Sequence, residues 1–147
     1  MIRIKAVDAQ NMLEVCRLTA APGDCVCCNA VSIAEAKYDP EMHPNAIYNN
    51  NVLVGFFMYR RAESRADTAV LRRFMIDARF QRRGLGKKAF AYVLRGLKIQ
   101  GVRKVVLQID SADKAAAGLC LAFGFRRAET AGRGENNAEE DDYTLEL

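Results

Sequence analysis

The sequence predicts an α/β domain, one mixed sheet covered by helices, in the order β-α-α-β-β-β-α-β-α-β-β over residues 1–147. Three observations carry that reading. Short stretches that alternate apolar and polar residues, beginning with Ile2 to Val7, have the period of half-buried strands. Other stretches place apolar residues three and four apart, the spacing of an amphipathic helix. In the middle, an apolar strand runs through a basic turn with two glycines, Arg82-Arg83-Gly84-Leu85-Gly86-Lys87, straight into such a helix.

The elements come in order along the chain. Ile2 to Val7 is the first strand, and Asp8 is placed to cap a helix through about Thr19, with Met12, Val15, Cys16 and Thr19 at helical spacing. Ala21-Pro22-Gly23-Asp24 breaks it; Asn29 to Lys37 is a second helix, stopped by Asp39-Pro40. Asn45 to Tyr48 and Val52 to Arg60 are hairpin strands, joined by an Asn49-Asn50-Asn51 turn suited to the left-handed conformation. Glu63 to Asp67 is a polar loop before the strand Ala69 to Asp77. The helix from Gly84 to Gln100 carries Phe90, Val93, Leu94 and Leu97 on one face and Lys87, Lys88, Arg95 and Lys98 on the other. Gly101 ends it, and Val102 to Ile109 is the next strand. Asp110-Ser111 is expected to cap a fourth helix with Ala116, Leu119, Cys120 and Phe123 on one face, closed by Gly124. Phe125 to Glu129 and Tyr143 to Leu147 are the last strands. The Gly, Asn and acid-rich stretch between them, Ala131 to Asp142, has few core-forming residues and is expected to be a mobile loop.

Composition narrows the function. A chain of 147 residues, half of them apolar, is most simply one domain with a sizeable core. No apolar run is long enough to span a membrane, and Met1-Ile2-Arg3-Ile4-Lys5 lacks a signal-peptide layout, so a cytoplasmic location is the default expectation. The net charge of +4 is uneven: Arg60, Arg61, Arg65, Arg72, Arg73, Arg79, Arg82, Arg83, Lys87 and Lys88 crowd the middle. Nucleic-acid binding would want interleaved aromatics or a reading helix, and neither is there. A polyanionic cofactor explains the same charges more economically. Cys25, Cys27 and Cys28 are too close together for a disulfide framework, and a metal site would need them with Cys16 or His43. The paired Cys-x-x-Cys spacing is absent, so reduced thiols and no metal are expected.

The strongest chemical signal is the basic turn. A helix start exposes unpaired N–H groups at the positive end of the dipole, where basic side chains are unfavourable unless an anion binds. The alternative is that these cations merely solvate an exposed helix. In Gln81-x-x-Gly84-x-Gly86 the glycines let a ligand approach the backbone closely. The third glycine of a dinucleotide fingerprint and the Gly-x-x-x-x-Gly-Lys-Ser/Thr pattern are both missing. The turn resembles the coenzyme A loop of the GNAT superfamily of N-acetyltransferases, and the element order matches that fold from end to end. Asn29 to Ala36, Ala46-Ile47-Tyr48, Val54-Gly55-Phe56 and Phe74-Met75-Ile76-Asp77 look like the small bacterial polyamine (spermine/spermidine) acetyltransferases.

The resemblance implies acetyl-CoA as cosubstrate and direct attack of a neutral amine on its acetyl carbon. The pantetheine arm would lie between Ala69–Asp77 and Val102–Ile109, beside Phe74, Met75 and Ile76, with the Ile76 N–H donating to the oxyanion. Gln81, Arg82, Arg83, Gly84, Leu85, Gly86 and Lys87 would hold the pyrophosphate, with Lys88 adding charge, and Asp113 stands where the family has a helix-start asparagine. Cys120 stands where the family has its proton-donating tyrosine, four residues before Gly124-Phe125; it either takes that role or packs beside Leu119 and Phe123. Glu35, Asp39 and Glu41 would border the acceptor, although Ser32-x-x-Glu35 also reads as a capping box. Asp77 either faces the acceptor or caps the following turn. Tyr38, Tyr48 and Tyr59 either touch an alkyl amine or fill the core. The expected function is acetyl transfer to a small primary amine, a polyamine such as spermidine or spermine foremost. Alternatives are transfer to a peptide, protein or aminoglycoside amine, or an acyl-CoA-binding sensor that has lost transfer. No nucleic-acid or membrane partner is expected, and a homodimer is common in the family.

Overall fold

The computed structural model describes residues 1–21, 28–133 and 139–147, and the elements keep the expected order. They are β1 (Ile2–Ala6), α1 (Met12–Arg17), α2 (Asn29–Tyr38), β2 (Met42–Asn49), β3 (Val52–Arg60), β4 (Thr68–Ile76), α3 (Leu85–Ile99), β5 (Lys104–Asp110), α4 (Lys114–Ala122), β6 (Arg126–Arg133) and β7 (Glu139–Glu146). Single 3-10 turns at Glu63–Arg65 and Ala78–Phe80 flank β4. The strands form one seven-stranded sheet in the order β1-β2-β3-β4-β5-β7-β6. β4 and β5 run parallel and the other neighbours antiparallel. The Asn turn forms as expected, with Asn50 and Asn51 both at positive φ (49° and 67°).

Each face of the sheet has its own core. On one, α3 buries Leu85, Ala89, Phe90, Val93, Leu94 and Leu97 against Ala69, Leu71, Ile76, Val105 and Leu107. At about 1.5–3 kcal/mol for each large apolar side chain, this face is the main apolar contribution of α3. On the other face, α1 and α2 cover Ala46, Phe56, Met58 and Met75 with Val15, Leu18, Ile33 and Ala36. Gly101 and Gly124, at φ 92° and 88°, take the left-handed positions that stop α3 and α4.

Several local expectations are corrected. α1 is a short helix that buries Val15, while Met12 is exposed; Asp8 and Asn11 bond reciprocally, backbone N–H to side-chain oxygen, around the turn before it. Ser32-x-x-Glu35 is no capping box, because α2 starts at Asn29 and Ser32 lies inside it. α4 is capped by Asp113, whose carboxylate accepts the Ala116 N–H at 3.0 Å, and Asp110-Ser111 forms the turn before it. Both described ends of the expected loop Ala131 to Asp142 are paired strand: Ala131, Gly132 and Arg133 of β6 oppose Asp141, Glu140 and Glu139 of β7, while residues 134–138 lie outside the described residues. Ladder hydrogen bonds need no apolar side chain, so polarity did not prevent pairing there. Cys25 and Cys27 lie outside the described residues. Among the described residues, no helix is long and apolar enough to cross a membrane.

The feature that shapes the site is a bulge in β4. Met58 opposes Arg73 and Tyr59 opposes Leu71, which leaves Arg72 as the extra residue. One extra residue exchanges the two faces. Before it, Ala69 and Leu71 face α3; after it, Phe74 and Ile76 do, while Arg73 and Met75 face α1 and α2. The parallel pairing of β4 with β5 ends at Leu71 and Leu107, beside the bulge. Beyond that point β4 stays on β3 and β5 stays on β7, so the two central strands part.

β4 is held against β3 where Gly55 opposes Ile76, and a Cβ on Gly55 would lie 2.5 Å from the Met75 carbonyl oxygen and 2.9 Å from Ile76 Cδ1. Gly55→Ala is therefore expected to destabilise the fold by about 1–3 kcal/mol in urea unfolding, the usual cost of overpacking.

Candidate active site

The parted strands expose backbone on their facing edges. In an antiparallel ladder, hydrogen-bonded pairs recur every second residue. The Asp77 N–H donates to the Val54 carbonyl at 2.8 Å, so by register the next bonded pair is Met75 with Phe56. Ile76 and Phe74 thus turn their backbone groups the other way, toward the wedge. The Ile76 carbonyl is taken by Gln81 Nε2 at 2.9 Å, which folds the following turn back onto the strand end. The Ile76 N–H points into the wedge, whereas the Met75 N–H, paired toward β3, does not. On the α3 side the wedge rests on an aromatic group in which Phe74 meets Phe90 edge-on at 5.2 Å and Phe90 meets Phe123 at 4.9 Å.

Between strand and helix the chain makes the basic turn. Asp77 caps the 3-10 turn and is only 1% exposed. Its carboxylate accepts from the Thr19 N–H (3.0 Å), the Arg79 N–H (3.0 Å) and the Arg79 Nε (2.8 Å). The Ala78 N–H returns to the Thr19 carbonyl at 2.9 Å, which ties the end of α1 to the site. Burial by itself would raise the Asp77 carboxyl, but the Arg79 side chain and the two backbone donors outweigh it and hold it below the ordinary range. With its oxygens engaged internally, Asp77 anchors the turn; it does not present a carboxylate to an acceptor.

After this anchor Arg82 and Gly84 both adopt positive φ (63° and 75°), and α3 begins at Leu85. No side chain caps α3 and its first turn holds no acidic residue. Arg82, Arg83, Lys87 and Lys88 are exposed around those orphan N–H groups. This is the arrangement a polyphosphate fits: backbone donors, a left-handed turn that clears space, and cations in place of the acids a helix start ordinarily prefers.

Cys120 lies in the core, 4% exposed, among the α3-side apolar residues. Burial, with help from the Asp113 carboxylate, pushes its thiol up to about 11. Its burial fits the packing role.

The carboxylates expected to border the acceptor are found already paired. Glu35 of α2 meets Arg73 of β4 at 3.4 Å. Arg60 holds both Asp39 (3.1 Å) and Glu41 (2.5 Å), and Glu41 also accepts the Glu63 N–H at 2.6 Å. The Glu41 N–H and the Arg60 side chain keep the Asp39 carboxyl below its usual value. Tyr59 is buried and stacks on His43 at 4.9 Å, Tyr48 is half-buried against the second core, and Tyr38 is exposed. Sequence reasoning missed Arg60, Arg73 and Thr19 as partners; each lies far along the chain from the carboxylate it meets, and no local spacing marks such pairs. Among the described residues, no group of three or more His, Cys, Asp or Glu is placed to hold a metal ion.

Residues 14–125 match the family model described as "Acetyltransferase (GNAT) family". The chain is 29% identical over 133 residues to the spermine/spermidine N(1)-acetyltransferase of Bacillus subtilis (strain 168), covering 85% of this chain and 88% of that protein. Its fold resembles the ribosomal-protein-S18-alanine N-acetyltransferase of Escherichia coli, at 20% identity and a TM-score of 0.73 over 100% of this chain and 94% of that one. A GNAT family acetyltransferase from Elizabethkingia anophelis, solved with acetyl-CoA bound, superposes with a TM-score of 0.70 at 16% identity, over 99% and 98% of the two chains.

Asp77→Asn is expected to lose about 2–4 kcal/mol of stability, since hydrogen bonds to a buried charged group are weakened together. The folded carboxyl lies below its unfolded value, so its contribution is complete above about pH 4 and fades as pH falls through the folded value. Urea unfolding from pH 7 down to pH 2 should therefore show the gap between wild type and variant closing at the acid end. Cys120→Ala should keep kcat within about threefold, because a general acid contributes some hundredfold or more; a larger loss in turnover assays would restore the thiol to the mechanism.

Proposed function

The chain belongs to the GNAT acetyltransferase family, and from that premise we propose that it transfers acetyl from acetyl-CoA to a primary amine of a polyamine such as spermidine or spermine. The observation that carries the transfer reading is the juxtaposition of an uncapped, acid-free α3 start with a wedge into which the Ile76 N–H points. The Bacillus subtilis relative supports the polyamine acceptor.

Bound acetyl-CoA supplies an activated acetyl carbon, which an uncharged amine attacks to give amide and thiol. The residues present fit that cosubstrate. Gly84 to Lys87 offer backbone N–H groups, and Arg82, Arg83, Lys87 and Lys88 offer charge to its phosphates. Phe74 and the Ile76 N–H offer strand edge that β5 leaves unpaired to its amide-bearing arm. The Ile76 N–H is the donor for the developing oxyanion, a contribution of about 3–4 kcal/mol where such donors have been removed. Asp113 supports this indirectly, by capping α4. Cys120 is given packing only.

A second reading, transfer to a peptide or protein amine, is favoured by one observation. Glu35, Asp39 and Glu41 are each paired with an arginine, so these three carboxylates do not stand open to a polycation. Mass-spectrometric detection of acetylated product from acetyl-CoA and a panel of polyamines, peptides and aminoglycosides separates the readings. Product from spermidine or spermine alone is expected; product from peptides alone would replace the polyamine reading, and acetyl-CoA binding without product would favour a sensor. In the same assay, Arg83→Glu with Lys87→Glu should raise the acetyl-CoA KM by about tenfold or more, as charge-assisted phosphate contacts become repulsive.

A further inference from the structure

On the α2 face of the sheet lies a polar stripe that the cofactor does not use. Asn29, Ser32 and Glu35 recur every third residue along α2 and share one side of the helix. Both ends of the stripe reach β4 just beyond the bulge. Asn29 Nδ2 lies 3.9 Å from Met75 Sδ, and Glu35 Oε1 lies 3.4 Å from Arg73 Nη2. Ser32 lies between them along the helix, 0% exposed, and among the described residues its hydroxyl meets no hydrogen-bond partner. A buried hydroxyl left unpaired is costly, so an incoming polar group would be favoured there.

Arg73 is an unusual neighbour for such a site. Its side chain is 11% exposed, and it also donates from Nη1 to the Arg72 carbonyl at 2.9 Å. The bulge turns it toward α2; without the extra residue it would face α3. A guanidinium on a carboxylate offers what a bound alkylammonium offers, a positive charge with several N–H donors. Arg73 and Ile76, whose N–H faces the wedge, are about 10 Å apart along the strand, a span that an extended polyamine covers. One nitrogen could then stand at the wedge while another reaches Glu35.

We propose that Glu35 and Ser32 form the subsite for the acceptor's second, non-reacting ammonium, and that Arg73 occupies it until an acceptor displaces it. This deepens the polyamine reading and rests on it. Arg73 then sets specificity: an amine with a single nitrogen has no second charge with which to displace it.

The test is titration calorimetry of the CoA-saturated protein with spermidine, and with butylamine as a one-nitrogen control. Arg73→Met should tighten spermidine about tenfold, as expected when a competing charge pair in a partly buried site is removed. Butylamine and CoA affinities should stay unchanged. Ser32→Ala and Glu35→Gln should weaken spermidine severalfold, and Arg73→Lys should behave as wild type. A purely structural Ser32 would shift Tm and leave spermidine affinity alone. Unchanged or weaker spermidine binding by a folded Arg73→Met protein, or wild-type binding by Ser32→Ala, overturns the subsite. If Arg73→Met does not fold, Glu35→Gln decides: wild-type spermidine affinity in that variant overturns the proposal. Absence of spermidine binding in wild type and variants alike overturns it too. Failure of the function itself is distinct, since it shows as no acetylated product from any amine by the wild-type enzyme.

Discussion

One extra residue in β4 organises the site. A regular β4 would pair with β5 along its length and keep Leu71, Arg73 and Met75 on one face. The bulge at Arg72 ends that regularity, with three consequences of the same backbone event. β4 stays with β3 and leaves β5, which opens the wedge. Phe74 and Ile76 move to the α3 face, where they join the aromatic packing around Phe90. Arg73 moves to the α2 face and finds Glu35. The antiparallel alternation then settles which strand-edge N–H faces the gap.

The buried Asp77 carboxylate joins the bulged strand to the basic turn and to the end of α1. Three donors from two segments converge on it, and a group with its charge satisfied inside protein resists displacement far more than a surface ion pair does. Its position makes the left-handed turn at Arg82 and Gly84 reproducible without any side-chain cap on α3. The uncapped helix start, which would be a defect in a helix of purely structural role, is where an anion is best accommodated.

Electrostatics divide the wedge into two unlike sides. Toward α3 the cations Arg82, Arg83, Lys87 and Lys88 are exposed around orphan N–H groups, an arrangement that selects for negative charge. Toward α2 charges of both signs are matched, Glu35 with Arg73 and Asp39 and Glu41 with Arg60. A positively charged ligand would gain there only by exchange, replacing a cation already present. Selectivity in such a site comes from a difference between two cations and not from raw attraction.

Much of the fold was legible in the sequence because its signals are local. The period of α3, the Asn50-Asn51 turn, the glycine stops at Gly101 and Gly124 and the basic turn before α3 are properties of consecutive residues, and neighbours in sequence remain neighbours in space. The helix caps were less legible: several acids and amides stand near each helix start, and only packing selects among them, as Asp113 shows in place of Asp110-Ser111. The paired strands within Ala131 to Asp142 escaped for a related reason, since ladder bonds are made by backbone and leave no mark on composition. The sequence by itself determined the element order, the two-faced helices and the chemistry of the turn. Tertiary structure alone decided where β4 slips by one residue, that Asp77 is buried and Cys120 walled in, and that Glu35, Asp39 and Glu41 each have an arginine. Those outcomes depend on which distant segments meet, and no spacing along the chain encodes them.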